Sequence, residues 1–547
     1  MHKSASYVLC MMLLYFCVFS VQAQTISPEI FENEEDLKDA LERGSISYEE
    51  YLELSDLMLN KIQQGSDEEY ELLIVPGISW GDLAKNRRET YDPKEISASF
   101  SEKLKENAVG KATWQTYQTL DGEENLSHQF SLRFDFANLF SFKSQLSQGM
   151  DNSLRIRKRS IDFLPSGSTK VIIGNYDRRF GLGINIGYHS LLSYTQNNDP
   201  NVHNQFLYPS KGRYNGVLVE QKLGHTRTSL FYSNSHWSDL ENWLIGGDVS
   251  WFFKKSILGM TFSGSKLKRK EYLSSFEDNC VSLHFQTKYK TINLLGEYAK
   301  KLESGDGFGL VLLSQNKHYS LDWSLWRYSS NFVHLPNGGP AQADYESINI
   351  EEIDYLFKSK QSGERGISLI SKYNIMPTLK FNIGYSQWSE SRDLPQKIRA
   401  KTGADYALSE KYAFALEKYW MDNSLEQDGL DGQNIKFTFE GLPFSKFRFR
   451  IMVDYADKML KSGKKEYGDV QFKVNSSLLS PADLTFWVKC YDPDFDSPSD
   501  NRWRFYLEEK VKVSSRSYFT TGYGLRYDRL TDNIDDRIVR VKLLMGW

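Results

Sequence analysis

The chain has 547 residues, a formal net charge of −4, 40% hydrophobic residues and 14% aromatic residues. A charge this close to neutral excludes a strongly basic nucleic-acid protein and a strongly acidic disordered one. Abundant aromatic residues in a modestly hydrophobic chain favour many strands with an apolar side chain at every second position, rather than one large buried core.

The first 23 residues have the pattern of a secretory signal peptide. A histidine and a lysine precede an apolar stretch at 7–20, and Ala23 is the small residue before an expected cleavage at Gln24. A segment this short and this early is predicted to be removed rather than to span a membrane. Beyond it there is no apolar run of about 18 residues, so the sequence predicts no transmembrane helix. The alternatives are a soluble exported protein and a membrane β-barrel.

Residues 24–90 form a predicted helical region that differs from the rest of the chain. Asn33 begins a first helix and Gly44 ends it, and a capping box from Ser47 to Glu50 begins a second. Leucines at helical spacing give both segments an apolar face. We therefore expect a small all-α region in front of the β-rich remainder.

A tight turn at Pro76, Gly77, Ile78 and Ser79 joins two short predicted helices in the stretch LLIVPGISWGDLAKNRR, residues 72–88. The stretch resembles half of a helix-hairpin-helix motif, a family in which backbone N–H groups of the hairpin hold a nucleic-acid phosphate. The resemblance implies that these four residues are the hairpin contacts. The sequence departs from the family pattern because Ser79 replaces the usual glycine and a second hairpin copy is missing.

The charge of the helical region argues against nucleic acid as its partner. Residues 31–75 hold 14 Asp and Glu against 3 Lys and Arg, a net charge of −11. Binding to phosphate draws its free energy from cations, which this stretch lacks. We expect residues 25–90 to dock a periplasmic protein or to form a structural cap, and residues 91–110 to form a linker.

From Lys111 onward the helical period is replaced by alternation of apolar and polar residues, as in FRFRIMVDY at 447–455. Segments of ~10 residues recur about every 20 residues with no Pro- or Ser-rich linker, which is typical of outer-membrane strands. Aromatic residues that cluster near the predicted strand ends are expected to form girdles at the membrane surfaces. The clusters include Trp323, Trp326, Tyr419, Trp420, Trp487, Tyr491 and Trp503.

The last predicted strand is RIVRVKLLMGW, in which Val539, Val541, Leu543, Met545 and Trp547 are apolar and alternate with a mixed set of residues. It resembles the C-terminal signal of bacterial outer-membrane barrels, an alternating strand finished by an aromatic residue. The resemblance implies that this strand closes the barrel against the first one. It also implies that the five apolar residues form the membrane-insertion signal for the barrel-insertion machinery.

A second resemblance lies in IIGNYDRRFGLGINIG, residues 172–187. Gly174, Tyr176, Phe180, Gly181 and Gly183 match a segment of large envelope proteins that combine a periplasmic helix-hairpin-helix region with a predicted barrel. The resemblance implies location and fold more than activity. The two glycines at 181 and 183 indicate a bend or close packing against the barrel wall, because the third glycine of a nucleotide-binding motif is missing.

The sequence therefore predicts an all-β transmembrane barrel at 111–547, preceded by the all-α periplasmic region. We expect roughly 20 antiparallel strands, within a range of 16 to 24, and an even count that places both barrel ends in the periplasm. Residues 151–158, 168–175 and 181–188 are interpreted either as strands or as part of an inserted plug.

No pattern of catalytic or metal-binding residues emerges. The sequence has no P-loop, no H-E-x-x-H and no G-x-S-x-G, and its nine histidines are scattered singly. We expect no catalytic, cofactor-binding or metal-binding residues and no enzymatic activity. Four aspartates in the loop 491–501 offer Ca²⁺ ligands, but the EF-hand glycine and closing glutamate are missing, so a hydrated surface loop is the preferred interpretation.

Two long polar stretches, 189–212 and 333–365, are rich in Gly, Pro and Asn and are predicted to be surface or constriction loops. Cys280 and Cys490 are the cysteines that remain after the signal peptide. The sequence leaves open whether they form a disulfide or stay as thiols.

The leading functional interpretation is an outer-membrane β-barrel, embedded in outer-membrane lipid, that acts as a pore or as an export or uptake component with a periplasmic docking module. A non-conducting structural or assembly scaffold is the alternative from another class. A DNA-uptake barrel is a further alternative, suggested by the hairpin and disfavoured by the acidic charge of residues 31–75.

Overall fold

The computed structural model describes most of residues 108–546. The helical region, the hairpin turn at 76–79 and residues 91–107 of the linker lie outside the described residues, as does Trp547, whereas residues 108–110 belong to the first strand. Between 108 and 546 the gaps in the description are 120–124, 137–138, 149–153, 167, 177, 188–189, 194–213, 238–239, 270–274, 317, 337–338, 342–344, 351–352, 359–361, 390–395, 423–431, 461–462, 478–481, 493–500, 515–516 and 529–532.

The described residues form 27 strands, of which 24 belong to one antiparallel sheet and three to a small separate sheet. The strands are β1 (Ala108–Thr119), β2 (Asn125–Phe136), β3 (Phe140–Gln148), β4 (Leu154–Ser166), β5 (Thr169–Tyr176), β6 (Ser190–Ser193), β7 (Tyr214–Leu223), β8 (Thr226–Trp237), β9 (Leu240–Phe252), β10 (Ser256–Arg269), β11 (Ser275–Tyr289), β12 (Ile292–Lys301), β13 (Asp306–Gln315), β14 (Tyr319–Tyr328), β15 (Tyr345–Ile350), β16 (Ile353–Lys358), β17 (Arg365–Met376), β18 (Leu379–Ser389), β19 (Lys397–Ala407), β20 (Tyr412–Asp422), β21 (Gly432–Phe444), β22 (Phe447–Leu460), β23 (Gly463–Ser476), β24 (Ala482–Asp492), β25 (Arg502–Ser514), β26 (Ser517–Asp528) and β27 (Asn533–Gly546).

The large sheet closes into a barrel because its first and last strands pair with each other. Each strand pairs with its neighbours in sequence, except that β5 pairs with β7 and β14 pairs with β17. The closing pair is β1 with β27, in which Trp114 lies opposite Leu543 and Thr116 opposite Val541. Closure leaves the large sheet without an edge strand and confirms the predicted transmembrane-type barrel. Its 24 strands lie at the upper end of the predicted range.

The two faces of the barrel have opposite chemistry. On β10 the side chains of Leu258, Met260 and Phe262 are exposed, while Thr261 and Ser263, each next to Phe262 in sequence, are buried on the inner face. The registers carry this alternation around the barrel. Large apolar side chains exposed on the outer face include Leu230, Tyr232, Trp243, Ile245, Leu283, Phe285, Phe381, Ile383, Leu416, Phe437, Val453, Val470, Phe472, Phe486, Phe505, Leu507, Phe519 and Tyr523.

An apolar band that runs around a closed barrel is far larger than the exposed patches of soluble monomers, and it matches a hydrocarbon surround. Within the part of the chain that the structure describes, no helix is long and apolar enough to cross a membrane.

Connections differ in length between the two ends of the barrel. At one end the strands are joined by tight turns, such as residues 224–225 between β7 and β8 or 377–378 between β17 and β18. The long connections 177–213 and 329–364 both leave from the other end. Within them β6, β15 and β16 pair to form the three-stranded sheet, so the two predicted loop regions contact each other.

The segments that the sequence left open between strand and plug are now assigned. Residues 151–158 overlap the start of β4, and 168–175 correspond to β5. Residues 181–186 form no strand and lie inside the barrel, so the plug interpretation is the correct one there. Cys280 and Cys490 are both free thiols.

The aromatic girdle prediction is wrong for about half of the residues in it. Trp326 is 1% exposed and faces the lumen, and Trp487 stacks on the lumen-facing Tyr506. Trp420 and Trp503 do lie exposed on the outer face. Two side chains on a strand point to opposite faces when their residue numbers differ by an odd number, as those of Trp323 and Trp326 do. Clustering in sequence therefore does not establish a shared face.

Substitution of an outer-face leucine by arginine tests the lipid-facing surface. Leu283 lies mid-strand on β11 and is 56% exposed, while Leu302 lies in a turn and is 70% exposed. We expect Leu283→Arg to lower the free energy of unfolding in lipid vesicles by about 2–4 kcal/mol, the usual cost near the bilayer midplane. Leu302→Arg is the matched control and should change it little. Equal tolerance of both substitutions in urea titrations would show that water, not lipid, surrounds the barrel.

Candidate functional site

Residues 178–187, here called the inner segment, turn into the barrel after β5 and lie against its inner wall. Their apolar side chains at Phe180, Leu182, Ile184 and Ile186 are each at most 2% exposed. They alternate with Gly181, Gly183 and Asn185. The segment forms no strand pairing, and its apolar side chains pack against the barrel wall. The inner segment is the best-defined feature of the lumen.

Two glycines allow the inner segment to approach the wall. Gly181 has φ +56°, and a Cβ there would lie 2.6 Å from the Cβ of His284 and 2.8 Å from Oε2 of Glu297. Gly183 has φ +82°, a backbone conformation that side-chain-bearing residues rarely adopt. The expectation that these glycines mark a bend and close packing is therefore confirmed.

A single carboxylate on β12 binds the backbone of the inner segment. Oε2 of Glu297 accepts hydrogen bonds from the N–H groups of Leu182 at 2.8 Å and Ile184 at 3.0 Å. Oε1 accepts a third from the N–H of Asn185 at 3.0 Å. Because these donors have no strand partner, the carboxylate supplies the acceptors that a buried backbone requires.

Asn185 connects the inner segment to two strands, β10 and β11, through its side chain. Its amide nitrogen donates to the carbonyl oxygens of Thr261 at 3.0 Å and Cys280 at 3.4 Å. Its amide oxygen accepts from the hydroxyl of Ser263 at 2.6 Å. This residue is 0% exposed, and its amide group is satisfied on both sides.

A second piece of chain, residues 329–341 after β14, lies over the inner segment and is here called the covering segment. Nδ1 of His334 hydrogen-bonds to the carboxylate of Asp278, and Nε2 lies 2.8 Å from the carbonyl oxygen of Asn185. Both ring nitrogens therefore have a hydrogen-bonding partner. Lys301 also lies 3.3 Å from Asp278 and donates to the carbonyl of Val333 at 2.8 Å.

Two hydrophobic clusters hold the segments on either side of this polar centre. One packs Leu182 and Ile184 against Leu295, Trp326 and Phe332, together with other side chains of β11–β14 and Trp388. The other packs Phe180 and Ile186 against residues of β5, β7, β8 and β9, with Phe180 stacked on Phe231 at 5.7 Å between ring centroids. The residues that match the envelope-protein segment, Gly174 to Gly183, belong to this assembly.

Two buried acids here pair with histidines from other elements: Asp278 on β11 with His334 of the covering segment, and Asp248 on β9 with His284 on β11. Asp248 lies 2.7 Å from Nε2 of His284 and accepts hydrogen bonds from Ser250 at 2.6 Å and Thr261 at 2.8 Å. Both hydroxyls bond the carboxylate rather than the imidazole, which differs from the arrangement that activates a serine nucleophile. The geometry suits a structural network, and the absence of enzymatic activity remains a prediction.

The lumen wall away from these segments carries charged side chains that are open to the interior. Lys372, Lys380 and Lys401 are exposed, and the registers place them on the same face as Trp388. Such side chains indicate a water-filled space beside the inner segment. No group of three or more potential metal ligands occurs among the described residues.

Residues predicted from the sequence lie in three places. Val539, Val541, Leu543 and Met545 are half-buried on the outer face of β27, and Trp547 is outside the described residues. The hairpin residues Pro76 to Ser79 are also outside them. Of the four aspartates in the acidic loop, Asp492 alone is described, at the end of β24.

Glu297, Asn185, Asp278, Asp248 and His334 were missed by sequence reasoning. The available signal was an acid at an inward position between apolar residues, as in GGDVSWF for Asp248 and LLGEYAKK for Glu297. Acids of this kind are common on the lumen face of barrels, so the sequence alone does not separate a binding residue from a solvated one.

No protein-family model matches the chain, and no curated protein matches it. Among solved structures, the translocation pore of the P pilus usher PapC is 9% identical, with a TM-score of 0.42 over 80% of this chain and 99% of that chain. An E. coli P pilus tip assembly intermediate, PapC-PapD-PapK-PapG, is 9% identical, with a TM-score of 0.49 over 80% of this chain and 60% of that chain. The siderophore receptor PirA from Pseudomonas aeruginosa is 8% identical, with a TM-score of 0.44 over 81% and 80%.

At these identities the likeness concerns the fold alone. The closed sheet, its apolar outer face and its polar inner face define the protein as a β-barrel of the bacterial outer-membrane type.

Substitution of Glu297 by glutamine tests its role in holding the inner segment. Glutamine keeps one acceptor oxygen and replaces the other with an NH₂ group, which is a donor. At least one backbone N–H of the inner segment therefore loses its acceptor. Because hydrogen bonds to charged groups contribute about 1.5–3 kcal/mol, amide hydrogen exchange in residues 178–187 should become roughly tenfold faster or more. Glu417→Gln, on the opposite lumen wall, is the control. Equal rates of amide hydrogen exchange in the two variants would show that Glu297 does not hold the inner segment.

Proposed function

We propose that the protein is a conduit for polar solutes across the bacterial outer membrane, narrowed on one side by the inner and covering segments. The observation that carries the proposal is the exposure of charged side chains on the lumen wall beside those segments, including Lys372, Lys380 and Lys401. Charged side chains enclosed by an apolar-coated barrel require water around them.

The size of the barrel supports an aqueous path. A round barrel of 24 strands, with a spacing of ~4.8 Å and a tilt of ~40°, has a backbone diameter of roughly 45–50 Å. A layer of chain on the inner wall occupies about 10 Å of this. The contacts of the two segments lie on β5, on β7–β14 and on β18, so they cover one side of the wall.

Turn lengths support an orientation. Outer-membrane barrels have short turns in the periplasm and long loops outside the cell. The tight-turn end also carries the start of β1 and the end of β27, which would place the preceding helical region, residues 24–90, in the periplasm. There it would act as a docking module for a periplasmic protein.

A second candidate function is a non-conducting scaffold of the outer membrane. It is favoured by the inner segment itself, because a segment held by Glu297, Asn185 and two hydrophobic clusters is built as a permanent part of the wall. A lumen narrowed by so many fixed contacts suits a protein that holds partners in place.

Electrical recording from planar lipid bilayers separates the two candidates. The conduit predicts discrete and reproducible current steps from the full chain in KCl. Insertion is checked independently by the shift in gel mobility between unboiled and boiled samples. Silence from protein that shows this shift would contradict the conduit and support the scaffold.

Two adjacent leucines test the insertion signal on β27. Leu543 faces outward against Trp114, and Leu544 faces the lumen opposite Thr113. If the outward residues of this strand form the signal, Leu543→Asp should reduce the amount of folded barrel in outer-membrane fractions. Leu544→Asp introduces the same change on the inner face and should reduce it much less. Equal loss in both variants would contradict a face-specific signal.

A further inference from the structure

We propose that the lumen wall formed by β1–β5 and β17–β27 binds multivalent oxyanions, phosphates or carboxylates, and that such anions are the solutes of the conduit. The inference rests on the proposed conduit for its transport part and on the geometry of the wall for its binding part. Both parts are tested separately below.

Cations lie directly opposite each other on adjacent strands of this wall. Lys111 on β1 pairs with Arg133 on β2, and Arg133 pairs with Lys143 on β3. These three residues form the first cationic row. Lys489 on β24 pairs with Arg504 on β25 and forms a second. Like charges at directly opposed positions destabilise a sheet, so the rows are costly unless anions offset them.

Carboxylates of the protein pair with some of these cations. Arg133 has Asp135 at 2.7 Å, Lys143 has Asp162 at 4.0 Å, and Lys489 has Asp469 at 3.3 Å. Over the described side chains of this wall, inward cations outnumber inward carboxylates. The cations are Lys111, Arg133, Lys143, Lys170, Lys372, Lys380, Lys397, Arg399, Lys401, Lys436, Arg448, Arg450, Lys473, Lys489, Arg502, Arg504, Lys510, Lys512, Arg540 and Lys542; the carboxylates are Asp135, Asp162, Asp405, Glu417, Glu440, Asp454, Asp469, Asp483 and Glu508.

On the opposite side of the lumen, several inward acids are enclosed by the protein. There the inward acids Asp248, Asp278 and Glu297 are buried and bound to histidines, Lys301 or backbone N–H groups. These acids are therefore engaged in contacts within the protein. On the other wall most of the inward cations are half-buried or exposed toward the lumen, whereas Lys473 and Lys489 are buried. This separation of charge gives the solute path a positive potential that attracts anions.

The spacing of the rows suits oxyanions. Neighbouring strands lie ~4.8 Å apart, so a phosphate or carboxylate group between two opposed cations reaches both. Arginine adds a planar fork of donors that binds two oxygens of one such group. Multivalent anions contact several rows at once and should bind more tightly than chloride.

Calorimetry with inorganic tripolyphosphate, and in parallel with citrate, tests the binding part on the full chain in detergent at low salt. The row variant Lys111→Gln, Arg133→Gln and Lys143→Gln should bind both anions at least about tenfold more weakly, since charge-assisted hydrogen bonds are the strong ones. The control removes three lysines from tight turns, Lys255→Gln, Lys411→Gln and Lys446→Gln, and should bind like the unmodified chain.

Folding of each variant is checked by gel mobility before and after boiling. Should the row variant fail this check, Arg504→Gln with Lys542→Gln is the second variant, and the same weakening is expected. Absence of tripolyphosphate binding to the unmodified chain, or equal weakening in the turn variant, would overturn the inference.

Reversal potentials under a KCl gradient test the transport part. The unmodified chain should pass chloride in preference to potassium, and the row variant should lose much of that preference. A conducting chain that prefers potassium would overturn the inference and leave the conduit intact. Anion binding without any conductance would overturn the conduit and the transport part that rests on it, and would leave the binding part standing.

Discussion

The constraint on which the rest of the structure depends is that a backbone in hydrocarbon must satisfy every N–H and C=O group within the protein. The chain meets it by pairing β1 with β27, which leaves no open edge in the large sheet. A closed sheet has two faces with different surroundings. Alternation of residues such as Leu258, Thr261 and Phe262 follows directly, because each side chain must suit the face on which it lies.

The same requirement explains the chemistry of the inner segment. Residues 178–187 leave the ladder of strand pairs and enter a packed environment, so their N–H groups need acceptors from elsewhere. Glu297 supplies three acceptor contacts, and the glycines at 181 and 183 let the backbone come close enough to use them. A carboxylate is well suited to this task because its two oxygens accept several hydrogen bonds at once.

Much of the barrel could be predicted from the sequence, and most of the site could not. Alternation around Phe449 or Phe505 is a local signal with one physical cause, so the strands and the apolar outer face follow from it. The partners of Glu297 lie more than 110 residues away in the chain, and the local sequence LLGEYAKK carries no information about which residues they are. The predicted position of Trp326 in the aromatic girdle is wrong because clustering in sequence does not determine the face of a strand on which a side chain lies. Its indole N–H donates a hydrogen bond to Glu364 inside the lumen at 2.9 Å.

The long reach of the polar centre has a consequence for the order in which the protein is assembled. Asn185 is contacted by Glu297 and by His334, which follows it by 149 residues. Contacts at such separation form late, because the entropy of closing the intervening chain must first be overcome. We therefore expect the inner segment to dock after the strands that carry Glu297 and precede His334 have paired. Before it docks, the lumen is wider and residues 178–187 are not yet covered.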